Sequence, residues 1–342
     1  MNTKLRDRRA TSLLSMIFIA ACGSNSTDVD VPPPPNDTVE ARTPPSQPII
    51  DPFFGPERTL FDCTHPGVPV DRRASSPWGC VLDVDCTAPL VVGHRGAGGQ
   101  YASIAPENSR AALRAALWMG VDGVEVDVRH TLDDQLVVIH DSTVDRTTDG
   151  TGTVDSMTMG EVTALHLNTV NDLGDTILGD FSCETVPTLA EVFALTKDRV
   201  FIDLDTKTDR IDLVVDAIVS AGLEDQVFVS VGDVNRAIEA RALNSNIRVQ
   251  IRPDTVEELA EQRALFPLRP PEIVEVPFLS LIEFILPTQE MGAALFADVW
   301  EHDIQVQFAV ETVDIYLESF AKGAKIIQSE FPGAALHALD RL

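Results

Sequence analysis

Two carboxylates, Glu125 and Asp127, stand two residues apart in the apolar run 123–128 of a 342-residue chain. Side chains alternate across a strand, so both face one way. Like charges so close repel, and burying the pair is costly unless a cation or a proton compensates. A divalent metal is the natural compensation. Downstream, Asp203, Asp205 and Lys207 recur at period two while Ile202 and Leu204 face the other side, which predicts an inward acidic face on a central strand. Two histidines follow similar apolar runs: His94, next to Arg95, after residues 90–93, and His140 after 136–139. Near-neutral imidazoles can take and give protons at physiological pH.

Hydrophobic strands that each end in ionisable residues suggest the mouth of a barrel. Further strand candidates are 200–207, 226–231, 248–252, 272–278, 304–310 and 325–329, and helical patterns fall at 189–195, 211–220, 234–243, 256–265, 288–299 and 313–321. Alternating β and α elements point to a parallel sheet. An α/β barrel of roughly 250 residues accounts for 90–342 as one unit. Nine strand candidates compete for eight places, so one is misread or lies outside the barrel. Pro277 argues against 272–278 as a central strand. The link 128–136 is too short for a helical crossover and is expected to return extended.

The N-terminal 89 residues are of other kinds. Lys4, Arg6, Arg8 and Arg9 precede a short apolar run that ends Ile19-Ala20-Ala21-Cys22. That is the pattern of an export signal, too short to span a bilayer. Small residues before Cys22 resemble a bacterial lipobox, which would leave Cys22 acylated at the mature terminus. Residues 23–52 are polar and Pro-rich and read as a tether, reaching roughly 80 Å at about 3 Å per residue. Residues 53–89 form a Cys-containing extension. Cys63, Cys80, Cys86 and Cys183 favour disulfides in an exported protein, with three pairings open; if all four pair, at least one bond joins the extension to Cys183. The formal charge of −27 argues against nucleic acid and against adsorption to anionic lipid by charge alone. An anionic substrate must be attracted by local cations.

His94-Arg95-Gly96, Pro106-Glu107-Asn108-Ser109, the run 123–128, Val138-Ile139-His140-Asp141, the run Asp145-Arg146-Thr147-Thr148-Asp149-Gly150-Thr151-Gly152, and Val186-Pro187-Thr188-Leu189-Ala190-Glu191-Val192 together resemble the glycerophosphodiester phosphodiesterases. The likeness is strong over 90–207 and faint afterwards. It implies a TIM (β/α)8 barrel with its site at the C-terminal strand ends, and one divalent metal, Ca²⁺ or Mg²⁺, on Glu125, Asp127 and Asp205. It further implies His94 and His140 as general base and acid, Arg95 and Lys207 on the phosphate, and Glu107 and Asn108 as supports. Asp205 stands where the family usually has Glu. Phe308 falls where a Trp-Thr-Val-Asn run is common, and could present its ring to a glycerol skeleton. The remaining histidines, His65, His130, His166, His302 and His337, carry no partner spacing.

The implied chemistry is hydrolysis of a small-molecule phosphodiester to glycerol 3-phosphate and an alcohol. A metal, Arg95 and Lys207 would offset charge on the phosphoryl oxygens while the two imidazoles move protons. A phospholipase D-type or lysophospholipase activity on the same barrel is the alternative enzyme, and a tethered binding lipoprotein without turnover the alternative of another class.

Expression in a bacterial host tests the N-terminal reading. The wild-type chain should partition with membranes and Cys22→Ser should not; equal partitioning of the two refutes lipid anchoring.

Overall fold

The computed structural model describes residues 61–65, 78–83, 85–97, 99, 104–308 and 311–342. Strands β1 (Leu90–Gly93), β2 (Gly123–His130) and β3 (Leu136–Val138) are followed by β4 (Phe201–Thr206), β5 (Val227–Val231) and β6 (Arg248–Ile251). The last three are β7 (Ile273–Pro277), β8 (Ala294–Asp298) and β9 (Ile326–Ser329). All but β3 run parallel in the order β1-β9-β8-β7-β6-β5-β4-β2, and pairing of β1 with β2 closes an eight-stranded barrel. Helices between the strands complete the TIM barrel. The signal and tether readings, Cys22 included, lie outside the described residues.

Strand alternation divides the side chains into two layers. Val124, Val126 and Val128 of β2 and Ile202 and Leu204 of β4 join helix residues such as Ala112, Leu113 and Val214 in the outer core. The opposite parity fills the interior. Leu90, Val92, Phe201, Phe228, Ile273, Phe296 and Ile326 make an apolar plug in its lower half. Continuing each strand upward by two or four residues reaches His94, Asp203, Asp205, Ser230, Glu275, Asp298 and Gln328. β2 enters that lower layer at Gly123, where a Cβ would stand 2.5 Å from the Phe201 ring; only glycine lets the two strands pair in this register, Gly123 opposite Phe201 and Asp127 opposite Asp205.

The motifs have local structural reasons as well. Thr188 and Glu191 form a reciprocal capping box that starts the helix Leu189–Thr196. Ser109 accepts from the Ala112 N–H at 2.9 Å and caps Arg110–Met119, which ends at Gly120 with φ 85°. Its alanines, Ala111, Ala112, Ala115 and Ala116, are fully buried, so this helix lies close against the strands.

The extension closes the lower end of the barrel. Cys80 and Val81 pack onto Leu90, Phe201 and Phe228, and Cys80 is bonded to Cys86. Cys63 is bonded to Cys183 across 120 residues, the expected tie between extension and barrel.

Three expectations for the last third need correction. Of the expected strand 304–310, residues 304–308 do not form one and 309–310 lie outside the described residues: 304–307 end the helix Trp300–Gln307, whose buried His302, Asp303 and Val306 have helical spacing. The helix read at 288–299 ends at Met291, where Gly292 takes φ 71°, and the barrel strand β8 follows. Pro277 is tolerated because it is the last residue of β7 and exposed. The candidate outside the barrel is β3, which returns antiparallel on β2 with Val128 opposite Val138.

Loop-closure entropy scales with the length bridged, so the two disulfides should differ in worth. Replacing Cys63 and Cys183 by Ser should cost about 4–5 kcal/mol and replacing Cys80 and Cys86 about 2. Denaturant unfolding and non-reducing peptide mapping check both; free thiols at all four positions, or the reverse order of costs, would contradict this.

Candidate active site

The upper half of the barrel gathers the carboxylates. Glu125, Asp127 and Asp205 each offer one oxygen, all within 4.8 Å of one another, and all three residues are buried. Burial, then the charge of Asp127, holds Glu125 well above its usual range. Asp205 moves the other way. Burial would raise it, but Arg252 and Lys207 outweigh that and lower it. Both cations donate to the same oxygen, Oδ2, Arg252 Nη1 at 2.9 Å and Lys207 Nζ at 2.7 Å. Lys207 also lies 3.4 Å from Asp127, and these charges hold its ammonium above the ordinary lysine range despite burial.

The first loop is braced onto this cluster. Gly93 admits no side chain, since a Cβ would be 1.8 Å from the Gly96 carbonyl oxygen. Arg95 (φ 49°) and Asn108 (φ 56°) both sit in the left-handed region, a strained choice for non-glycine residues that the contacts enforce. The Arg95 N–H donates to Glu125 Oε2 at 2.8 Å, and the Asn108 amide donates to Asp127 Oδ2 at 2.9 Å. The Arg95 guanidinium donates to Glu107 at 2.9 Å and lies 3.4 Å from Asp127. It is only 4% exposed, so Lys207 is the more accessible of the two expected phosphate cations.

Each expected catalytic histidine has its Nδ1 held by a carboxylate. His94 Nδ1 is 2.5 Å from Glu330, with Nε2 3.7 Å from Glu125. Burial would lower the His94 pKa, but Glu330 and Glu125 outweigh it and push it up to about 10. His140 Nδ1 is 2.7 Å from Asp141. Arg146 donates to Asp141 at 2.8 and 3.0 Å and to Glu107 at 2.8 and 2.9 Å; its hydrogen bonds hold Asp141 well below the usual carboxylate range. Glu107 therefore joins the loop of Arg95 to the partner of His140. Both rings are left with Nε2 for a substrate.

Sequence reasoning missed the orienting residues Glu330, Asp141 and Arg146, although the motifs containing Asp141 and Arg146 were legible. Arg252 was missed too; its signal was the position just past Ile251, on the inward parity of β6. Phe308 is not brought to the site. It ends the helix Trp300–Gln307, is 64% exposed, and does not line the cavity beside His94; Trp300 does. Reading 304–310 as a strand placed it there.

Residues 94–223 match the family model of the glycerophosphoryl diester phosphodiesterase family. A glycerophosphodiester phosphodiesterase of Caldanaerobacter subterraneus is 38% identical over 148 residues, covering 41% of this chain and 57% of that protein. The human glycerophosphodiester phosphodiesterase 1 is 41% identical over 103 residues, 30% of this chain and 29% of its own length. The chain thus spans about half or less of the curated relatives it matches. Among solved structures, a glycerophosphoryl diester phosphodiesterase from Parabacteroides distasonis superposes with a TM-score of 0.65 at 23% identity, covering 79% of this chain and 93% of that one. An Oleispira antarctica phosphodiesterase solved with the product sn-glycerol-3-phosphate gives 0.58 at 22%, covering 74% and 97%. The structural likenesses carry the barrel fold beyond the matched residues, and residues 94–223 carry the domain that resembles the glycerophosphoryl diester phosphodiesterase family.

Proposed function

We propose that this chain hydrolyses glycerophosphodiesters to glycerol 3-phosphate and an alcohol, with one divalent metal and two-histidine acid–base catalysis. The observation that supports the reading is the convergence of Glu125, Asp127 and Asp205 within 4.8 Å, with His94 Nε2 3.7 Å from Glu125, and with His94 and His140 each held at Nδ1 by a carboxylate of its own. A tethered binding protein needs no such pair of aligned proton carriers. The donor set is all oxygen, which suits Ca²⁺ or Mg²⁺. Glu125 Oε1 is buried with no hydrogen-bond partner among the described residues, a group that a bound cation would satisfy. Glu125, Asp127 and Asp205 would hold the ion, which when bound supplies charge stabilisation for the phosphoryl oxygens.

The chain's own residues do the rest. Lys207, at the mouth side of the cluster, attracts the phosphate and offsets charge that grows in the transition state. Arg95 fixes Glu107 and Asp127 in place and presents its backbone N–H to Glu125. One imidazole takes the proton of the attacking hydroxyl and the other returns one to the departing alkoxide. Glu330 and Asp141 fix which ring nitrogen does so. Export, with anchoring to a bacterial membrane through Cys22, belongs to the same proposal and rests on the sequence pattern Ile19-Ala20-Ala21-Cys22.

Two measurements test the mechanism on glycerophosphocholine. EDTA should abolish turnover and Ca²⁺ or Mg²⁺ restore it, while Glu125→Gln should weaken ion binding in calorimetry; full activity in excess EDTA refutes the metal. His94→Ala and His140→Ala should each lower kcat by roughly 10²-fold or more. The double variant should be little worse than either, because the two act as a unit. Independent, multiplying losses would contradict a shared proton-transfer mechanism.

A further inference from the structure

Beside His94 lies a cavity of about 220 Å³ lined by His94, Asp298, Trp300, Asp303, Gln328 and Glu330. It is smaller than the roughly 300–1,000 Å³ of drug-sized ligand sites, the scale of a small head group. The ends of β8, β9 and β1 build it. Asp298 pairs with Gln328 across β8 and β9, and Gln328 with Val92 across β9 and β1. His94 and Glu330 each continue their strand by one residue.

The lining is mainly acidic. Asp298, Asp303 and Glu330 carry carboxylates, and His94 is the one cationic side chain among them. Asp303 is taken up internally by Tyr316, Ser329 and the Glu330 N–H at 2.6, 2.6 and 2.8 Å, and Glu330 by His94. Asp298 accepts from the Trp300 N–H at 3.1 Å. A second, independent observation concerns Gln328. This residue is only 7% exposed, and its Oε1 has no hydrogen-bond partner among the described residues. A buried amide oxygen left so is costly unless a ligand or water completes it. Trp300 adds an indole face, the strongest aromatic partner for an organic cation.

We propose that this cavity is the head-group subsite of the phosphodiesterase and selects alcohols that carry a positively charged nitrogen, such as choline. The inference rests on the phosphodiesterase reading and deepens it. A glycerophosphodiester of this kind has a negative phosphate and a positive head group. The phosphate sits towards Lys207 and the carboxylate cluster, the ammonium in the cavity against Asp298, Gln328 Oε1 and the Trp300 face. His94 lies between the two, so its Nε2 is the group placed to protonate the departing alcohol. The balance is that of hydrolysis: the P–O bond to the head-group alcohol breaks, that oxygen gains a proton, and a hydroxyl oxygen bonds to phosphorus. Burial, then the charge of Glu275, holds Asp298 up at about 6, and a cation seated beside it would favour its ionised form.

The test compares glycerophosphocholine with glycerophosphoglycerol, whose head group is neutral. In the wild-type holoenzyme, kcat/KM should favour the choline ester by about ten-fold or more. In Trp300→Leu and Asp298→Asn that ratio should fall towards unity, mainly through KM. Choline should inhibit competitively, and its neutral tert-butyl isostere should require at least roughly ten-fold higher concentration; this arm needs no variant to fold. A wild-type ratio near or below one, a ratio unchanged in both variants, or equal inhibition by choline and its isostere overturns the head-group site alone. Turnover of neither ester overturns the phosphodiesterase reading and this inference together.

Discussion

Ionised groups inside a barrel must neutralise one another, and here that requirement shapes everything above the apolar plug. One strand shows the transition: Phe201, Asp203 and Asp205 point inward in succession, about 6.6 Å apart at 3.3 Å per residue. Each acid is matched by a side chain from another strand or loop. Gln250 bridges Asp203 and Glu275, Arg252 bridges Glu275 and Asp205, and Arg95 bridges Glu107 and Asp127. Asp203, with the least compensation, is pushed up to about 8 by burial and then by the charge of Glu275. Removing one member of such a lattice strands a charge that nothing else can solvate, which makes these residues stringent even where they touch no substrate.

The same lattice accounts for a shorter acid at position 205. Asp reaches about one bond less far than the Glu that the resemblance leads one to expect. Two cations pin its Oδ2 from opposite chain segments, Lys207 from its own strand's end and Arg252 from β6. That fixes the side chain and leaves its other oxygen for a ligand, so the substitution is absorbed by the neighbouring strand.

Legibility followed the physics of each segment. The inward carboxylates were readable because period-two alternation in β2 and β4 is strict and their outward residues are aliphatic. Both histidines were readable as strand-end residues inside local motifs. The reading failed where the local signal pointed the wrong way. Ala293, Ala294 and Ala297 favour helix, yet they belong to a stretch that the αL glycine Gly292 cuts off from the preceding helix. Ile304, Val306 and Phe308 alternate like a strand, yet they follow a barrel strand and turn into its crossover helix. Tertiary position overrode propensity in both cases. The pairings of Glu330 and Arg252 were hidden for another reason: their partners lie 236 and 47 residues away, and nothing local to either residue indicates them.

A net charge of −27 repels anions at long range, but the barrel separates the two length scales. At physiological salt the field of exposed acids is screened beyond about 8 Å. Within that distance the mouth is a dipole, not a uniform acid surface. Lys207 stands over Asp127 and Asp205 on one side, while Asp298 and Glu330 stand on the other. A zwitterionic diester carries no net charge, so the global field does not repel it. On the proposed reading, the local dipole turns the phosphate of such a diester towards Lys207 and its ammonium towards Asp298, with the scissile bond over His94. An anionic head group would meet carboxylates on that side, so the acidity that weakens attraction for simple phosphates becomes selectivity for those that carry their own cation.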